Sequence, residues 1–252
     1  MTKQEALYNY ILRIADNNML LGQRLSELCG HGPFLEQDIA TSNIALDLIG
    51  QSNALYTYAA QVEGKGRTED DLAFLRTERE FYNTLLVEQP NIDFAHVMVR
   101  QFFVDAFNLY FFQELAASKD ITIAAIAAKS NKEISYHIRH SSSWIERLGD
   151  GTKESNTRTQ NAINALYRFT GELFEMNAID ELLIKEGVAV NLMGFKSKWD
   201  NLVKETFVKS NLTLPENTFM QRGGKEGKHS EYMGHILAEM QYLQRSFPGA
   251  KW

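Results

Sequence analysis

The chain has 252 residues, 44% hydrophobic and 23% charged, enough to bury a full core as one large domain or one domain with an appendage. A formal net charge of -6 argues against nucleic-acid binding, which normally presents a basic face. One cysteine, Cys29, excludes an internal disulfide or a thiolate cluster built by this chain alone, as expected for a reducing cytoplasm.

The first 28 residues carry charged or polar side chains every few positions, so they hold neither a signal-peptide core nor a membrane span, and the sequence points to a cytoplasmic protein. Leu7, Ile11, Ile14, Leu21, Leu25 and Leu28 recur at helical steps and predict a helix over 4–28, closed by "CGHGP". A second helix is predicted over 35–62, on Ile39, Leu46, Ile49 and Leu55, until "GKG" breaks it. A shorter one follows over 69–87. After Pro90 comes an unusually aromatic helix, "FAHVMVRQFFVDAFNLYFFQELAAS", and then another over 121–148. Strand signals are nearly absent. Four long helices with one long connection between the second and third predict an all-α, ferritin-like four-helix bundle. Shorter helices over 156–175, 178–186, 192–210 and 231–246 add a C-terminal extension. The expected organisation is one ferritin-like domain over 1–252, with a core at about 4–149 and the extension at 150–252.

In ferritin-like di-iron proteins two helices each supply a Glu and two supply a Glu-x-x-His pair, because two irons need four carboxylates and two imidazoles pointing inward. Each long helix here has one acid in its middle third: Asp16, Asp47, Asp105 and Glu133. Asp16 lies between Leu12 and Leu20, Asp47 has Ile44 a turn before it, and Asp105 lies between Phe102 and Leu109, which predicts an inward aim. Four residues beyond Asp47 stands Gln51, and four beyond Glu133 stands His137. The second helix therefore offers no imidazole, and three of the four acids are the shorter Asp. The ligand count falls short of a two-iron centre. It fits better a buried polar network of Asp16, Asp47, Gln51, Asp105, Glu133 and His137, with Arg13 as a candidate member. His137 with His140 is a weaker candidate for a single-metal site.

No nucleophile elbow, Walker loop or dinucleotide fingerprint occurs. "RGGKEGKH" could cradle a phosphate or meet a partner through backbone amides with Arg222, Lys225 and Lys228, or be a solvated connector. The aromatic run Phe102, Phe103, Phe107, Tyr110, Phe111 and Phe112 points in too many directions for one bundle core. Burial under the C-terminal helices and contact with a partner protein both explain it.

"YILRIADNNMLLGQRLSELCGHGPFLEQDIATSNIALDLIGQ", "LLVEQPNIDFAH", "KEISYHIRHSSSWIERLGDGT" and "QRGGKEGKHSEYMGHILAEMQYLQRSFPGAKW" resemble the PaaC-type family of structural subunits of bacterial ring-1,2-phenylacetyl-CoA epoxidases, nearly end to end. The resemblance implies a structural component of phenylacetate catabolism, without catalytic residues or a cofactor of its own. It would pair with a catalytic A-type subunit that holds the di-iron centre and binds phenylacetyl-CoA, and self-association is open. A reductase with FAD and an iron-sulfur cluster would bring electrons from NADPH, and oxygen would be inserted as a ring epoxide. The six network positions then become vestigial ligand positions. The competing readings are a di-iron oxygenase in its own right, using Asp16, Asp47, Asp105, Glu133 and His137, and, more weakly, an iron-storage shell.

Overall fold

Thr2 starts the first helix by a reciprocal cap: its hydroxyl accepts from the Glu5 amide at 3.1 Å, and the Glu5 carboxylate accepts from the Thr2 amide at 2.6 Å. The computed structural model describes residues 1–250, so Lys251 and Trp252 of the expected extension lie outside the described residues. In chain order the helices are α1 (Lys3–Ser26), α2 (Leu35–Glu63), α3 (Glu69–Phe74), α4 (Leu85–Glu88), α5 (Phe94–Leu115), α6 (Ile121–Gly149), α7 (Lys153–Leu166), α8 (Ala178–Lys185), α9 (Lys196–Lys209), α10 (Tyr232–Met240) and α11 (Tyr242–Ser246). No strand occurs among the described residues, and none of these helices is long and apolar enough to cross a membrane. The all-α class is as the sequence predicts, and the two long helix hairpins, α1–α2 and α5–α6, are the elements a ferritin-like bundle requires.

The chain divides into two compact units, Met1–Pro90 with Gly223–Trp252, and Asn91–Arg222. In the first, α1 and α2 pack closely. A methyl on Gly22 would stand 3.3 Å from the Ala45 carbonyl, and the Ser52 hydroxyl donates to the Ala15 carbonyl at 2.7 Å. Ile11, Leu12, Leu21, Ile44, Leu48 and Leu55 are buried. Ile39 and Leu46, counted among the apolar pattern of the second helix, are instead 51% and 65% exposed.

The single helix expected over 69–87 is broken. Glu80 turns its carboxylate back to the Thr77 amide at 2.7 Å, capping a 3-10 turn at Glu78–Glu80, and the Thr84 amide and hydroxyl both donate to Asn17 Oδ1 of α1. The periodicity there comes from burial against α1 of a chain that is not one helix. The helix expected over 231–246 is likewise divided at Gln241, whose buried amide donates to the carbonyls of Ala73 and Arg76.

In the second unit Asp93 and Asp120 cap α5 and α6 through the amides of His96, Thr122 and Ile123. The aromatic face of α5 lies under the later helices. Phe103 meets Trp199 and Phe207, Phe107 meets Phe174 and Phe195, and the Trp199 indole donates to the Phe103 carbonyl at 3.2 Å. Burial within the chain accounts for these rings, so of the two explanations the first applies to them.

Candidate functional site

Asp16 reaches the interior of the first unit because α1 places it one turn from Leu12 and Leu20, both buried. Its two oxygens are fully engaged. Oδ1 accepts from the Tyr56 hydroxyl at 2.6 Å and from Arg76 Nη2; Oδ2 accepts from Arg76 Nη1 at 3.1 Å and from the Tyr82 amide at 2.8 Å. Four donors fill the four lone-pair directions of a carboxylate. Arg76 is itself buried, lies 4.0 Å from the Phe81 ring centre and donates Nη1 to the Glu80 carbonyl at 2.7 Å. Burial, with the Asp16 charge adding to it, holds the Tyr56 hydroxyl well above its ordinary pKa, so it remains a donor. On α2, Gln51 is buried and its carbonyl accepts from the Asn18 amide at 3.1 Å, while Asp47 is half-buried.

A second buried acid in this unit had no place in the expected network. Glu88 Oε1 meets His229 Nδ1 at 2.6 Å and accepts from Asn83 Nδ2 at 2.9 Å, and Oε2 accepts from the amide and hydroxyl of Ser230 at 2.8 and 2.6 Å. His229 Nε2 lies 3.0 Å from the Phe81 carbonyl, which can only accept. With a carboxylate on one ring nitrogen and a carbonyl on the other, both nitrogens donate and the ring is an imidazolium. Burial alone would lower the His229 pKa, but the hydrogen bond and charge of Glu88, then the Phe81 carbonyl and Glu78, raise it above its ordinary value.

The "RGGKEGKH" loop is shaped by the same contact. A methyl on Gly224 would collide with the Asn83 carbonyl, and Gly227, at φ +75°, sits where a Cβ would meet the Arg79 carbonyl at 2.6 Å. Close packing on residues 79–85 therefore accounts for both glycines. Of the candidate contact residues, Arg222 belongs to the second unit and is exposed, Lys225 is half-buried, and Lys228 pairs with Glu226 at 3.0 Å.

In the second unit α5 and α6 place Asp105, His137 and Ser141 inside, with Glu133 half-buried. Asp105 Oδ1 accepts from Gln101 Nε2 at 2.7 Å and Oδ2 from the Ser141 hydroxyl at 2.8 Å. Burial pushes the Asp105 carboxyl up to about 6, against the opposing pull of His137, Ser141 and Gln101. His140 is lowered to about 4 by burial and by the neighbouring charges of His137 and Arg147, which keeps it neutral. A raised carboxyl pKa means that ionisation above pH 6 costs stability. The Gln101 Oε1 atom is also buried without a hydrogen-bond partner among the described residues. Asp105→Asn supplies a donor and removes the charge. It is expected to stabilise the chain by up to about 3 kcal/mol above pH 6, since one pKa unit is worth about 1.4 kcal/mol. The gain should shrink as pH falls from 6 toward 4, where the aspartate is protonated; urea unfolding at pH 5 and pH 8 checks it.

Of the six expected network positions, Asp16 is held with Arg76 and Tyr56, Gln51 with Asn18, and Asp105 with Gln101 and Ser141. Among the described residues no three His, Cys, Asp or Glu side chains come together in a way that could hold a metal ion. Sequence reasoning missed Arg76 and the Glu88–His229 pair. The available signal was Glu88 itself, an acid following "LLV" with no charge nearby to explain it.

The family model described as "Phenylacetic acid catabolic protein" matches residues 1–252. The chain belongs to this family. Among its relatives is the C-type component of the 1,2-phenylacetyl-CoA epoxidase of Escherichia coli (strain K12), 49% identical over 243 residues, which cover 96% of this chain and 98% of the relative. Family membership extends through the C-terminal segment that carries His229, so the Glu88–His229 strap lies inside the matched region.

Proposed function

We propose that this chain is the structural, non-catalytic subunit of a cytoplasmic 1,2-phenylacetyl-CoA epoxidase in phenylacetate catabolism. It is one ferritin-like domain that pairs with a di-iron A-type subunit, which binds most of the substrate, while a flavin and iron-sulfur reductase supplies the electrons. The near-complete relationship to the C-type component of such an epoxidase supports the partner and the pathway. The observation that carries the non-catalytic role is Asp16. All four of its acceptor directions are occupied, two of them by the buried Arg76 guanidinium, so a divalent ion there would displace donors and sit beside a buried cation. Asp105 gives one oxygen to the Gln101 amide and the other to the Ser141 hydroxyl. The residues do not fit a two-iron centre, and Asp16, Asp47, Gln51, Asp105, Glu133 and His137 are vestigial ligand positions now used for packing.

Purifying the chain alone and together with its co-expressed catalytic homologue tests this reading. Iron should follow the homologue, with none stoichiometric on this chain, and the two should elute together. Two irons per copy of this chain, lost in Glu133→Ala, would instead support an oxygenase in its own right.

A further inference from the structure

Helix α2 is apolar on two opposite sides. Ile44, Leu48 and Leu55 are buried on the side toward α1, while Leu35, Ile39 and Leu46 lie on the opposite side at 70%, 51% and 65% exposure. The exposed side chains follow steps of four and seven residues, and Gly50 and Asn53 continue the same stripe, which runs about five helical turns. Gly50 is the informative member. It sits in a helix interior with nothing within 4 Å of where its Cβ would be, so no contact among the described residues accounts for a residue that weakens helices. Glycine on an open helix face is what the close approach of another backbone requires. Ser42 lies on the same stripe between Ile39 and Leu46, and a polar residue such as Asn53 on a largely apolar seam is what fixes register in paired helices.

The charges on α2 indicate what approaches. Glu36, Asp38, Asp47 and Glu63 are its only charged residues, and there is no Lys, Arg or His in the whole helix. Glu63 is already paired with Arg67 and Lys65, so a second copy of α2 would set Glu36, Asp38 and Asp47 against the same three acids, on a chain already at -6. A helix with basic edges would be attracted.

We infer that the outward face of α2 docks a helix of the catalytic partner, apolar at the facing positions and bearing Lys or Arg along its edges. Large side chains at Leu35, Ile39 and Leu46 enter that helix's gaps, its backbone comes closest at Gly50, and the acids of α2 attract its cations. This rests on the reading under which the chain pairs with a catalytic homologue.

The test is co-expression with the catalytic homologue, tagged on the homologue, using wild-type chain, Leu46→Glu, Gly50→Leu and a control, Val208→Glu, placed on the exposed side of α9. The three variants should keep the wild-type circular dichroism and melt no lower than wild type, because none of the three sites is buried. Leu46→Glu and Gly50→Leu should each lower capture at least tenfold, Val208→Glu should leave it unchanged, and wild-type capture should weaken from 50 to 500 mM NaCl. Equal capture of wild type and all three variants overturns the docking face while leaving the pairing with a catalytic homologue in place. An isolated wild-type chain that is dimeric by light scattering, and becomes monomeric in Leu46→Glu, also overturns it, since a second copy would then occupy the face. No capture of wild type sinks the pairing and this proposal together.

Discussion

Arg76→Met is expected to destabilise the chain by about 3–5 kcal/mol, the usual loss when one partner of a buried ion pair is removed and the other stays. Asp16 is wholly buried and would keep only the Tyr56 hydroxyl and the Tyr82 amide as donors. The loss reaches further than one pair, because Arg76 also holds the Glu80 carbonyl and lies against Phe81, so the broken segment between α3 and α4 depends on it. Removing both charges in Asp16→Leu/Arg76→Met should cost less than Arg76→Met alone, as a neutral core leaves no stranded carboxylate. Urea denaturation of the two single variants and the double variant decides the matter. A double variant as unstable as the sum of the singles would mean that the residues act independently, contrary to the contacts.

His229→Gln is expected to destabilise by about 2–5 kcal/mol at pH 6, and the deficit should narrow as pH rises. Because the folded His229 pKa is raised above its ordinary value, the stability it confers is fully present below about pH 6.5, the unfolded value, and is lost as pH rises through the folded value. The charged or titratable groups facing it are Glu88, which it touches, and Glu78; Arg24 holds the backbone carbonyl of Glu88 through Nε and Nη2. Wild type should therefore lose stability between pH 6.5 and pH 9 by an amount that His229→Gln does not. Parallel stability curves for the two proteins over that range would show that the ring is neutral in the folded state.

Periodicity made the helices legible. Apolar residues at three- and four-residue steps mark α1, α2, α5 and α6, and proline and glycine mark where they end. The same periodicity misled over 69–87, where an exposed run at 77–80 gives way to a buried run at 83–87 without a continuous helix, because Thr77 and Thr84 take their hydrogen bonds elsewhere. It also could not say which side of α2 faced in, since Ile39 and Leu46 satisfy the spacing from the outside. The acids Asp16 and Asp105 were found from their apolar neighbours, but their partners were not. Arg76 lies 60 residues from Asp16, and a pairing over that distance leaves no local mark. Ligand counting took another route, noting that α2 has Gln51 where an imidazole would be needed.

Residues 1–90 and 223–250 share one unit, and that has a consequence for synthesis. Glu88 must wait for His229, which lies 141 residues further along. At about 5–20 residues per second, a ribosome needs roughly 7–30 s to make the intervening stretch. During that interval residues 1–90 carry a buried acid without its counterion, and Gln241 has not yet reached the carbonyls of Ala73 and Arg76. Asn91–Arg222, by contrast, emerges as one uninterrupted segment. The nascent chain should therefore complete its middle before its beginning.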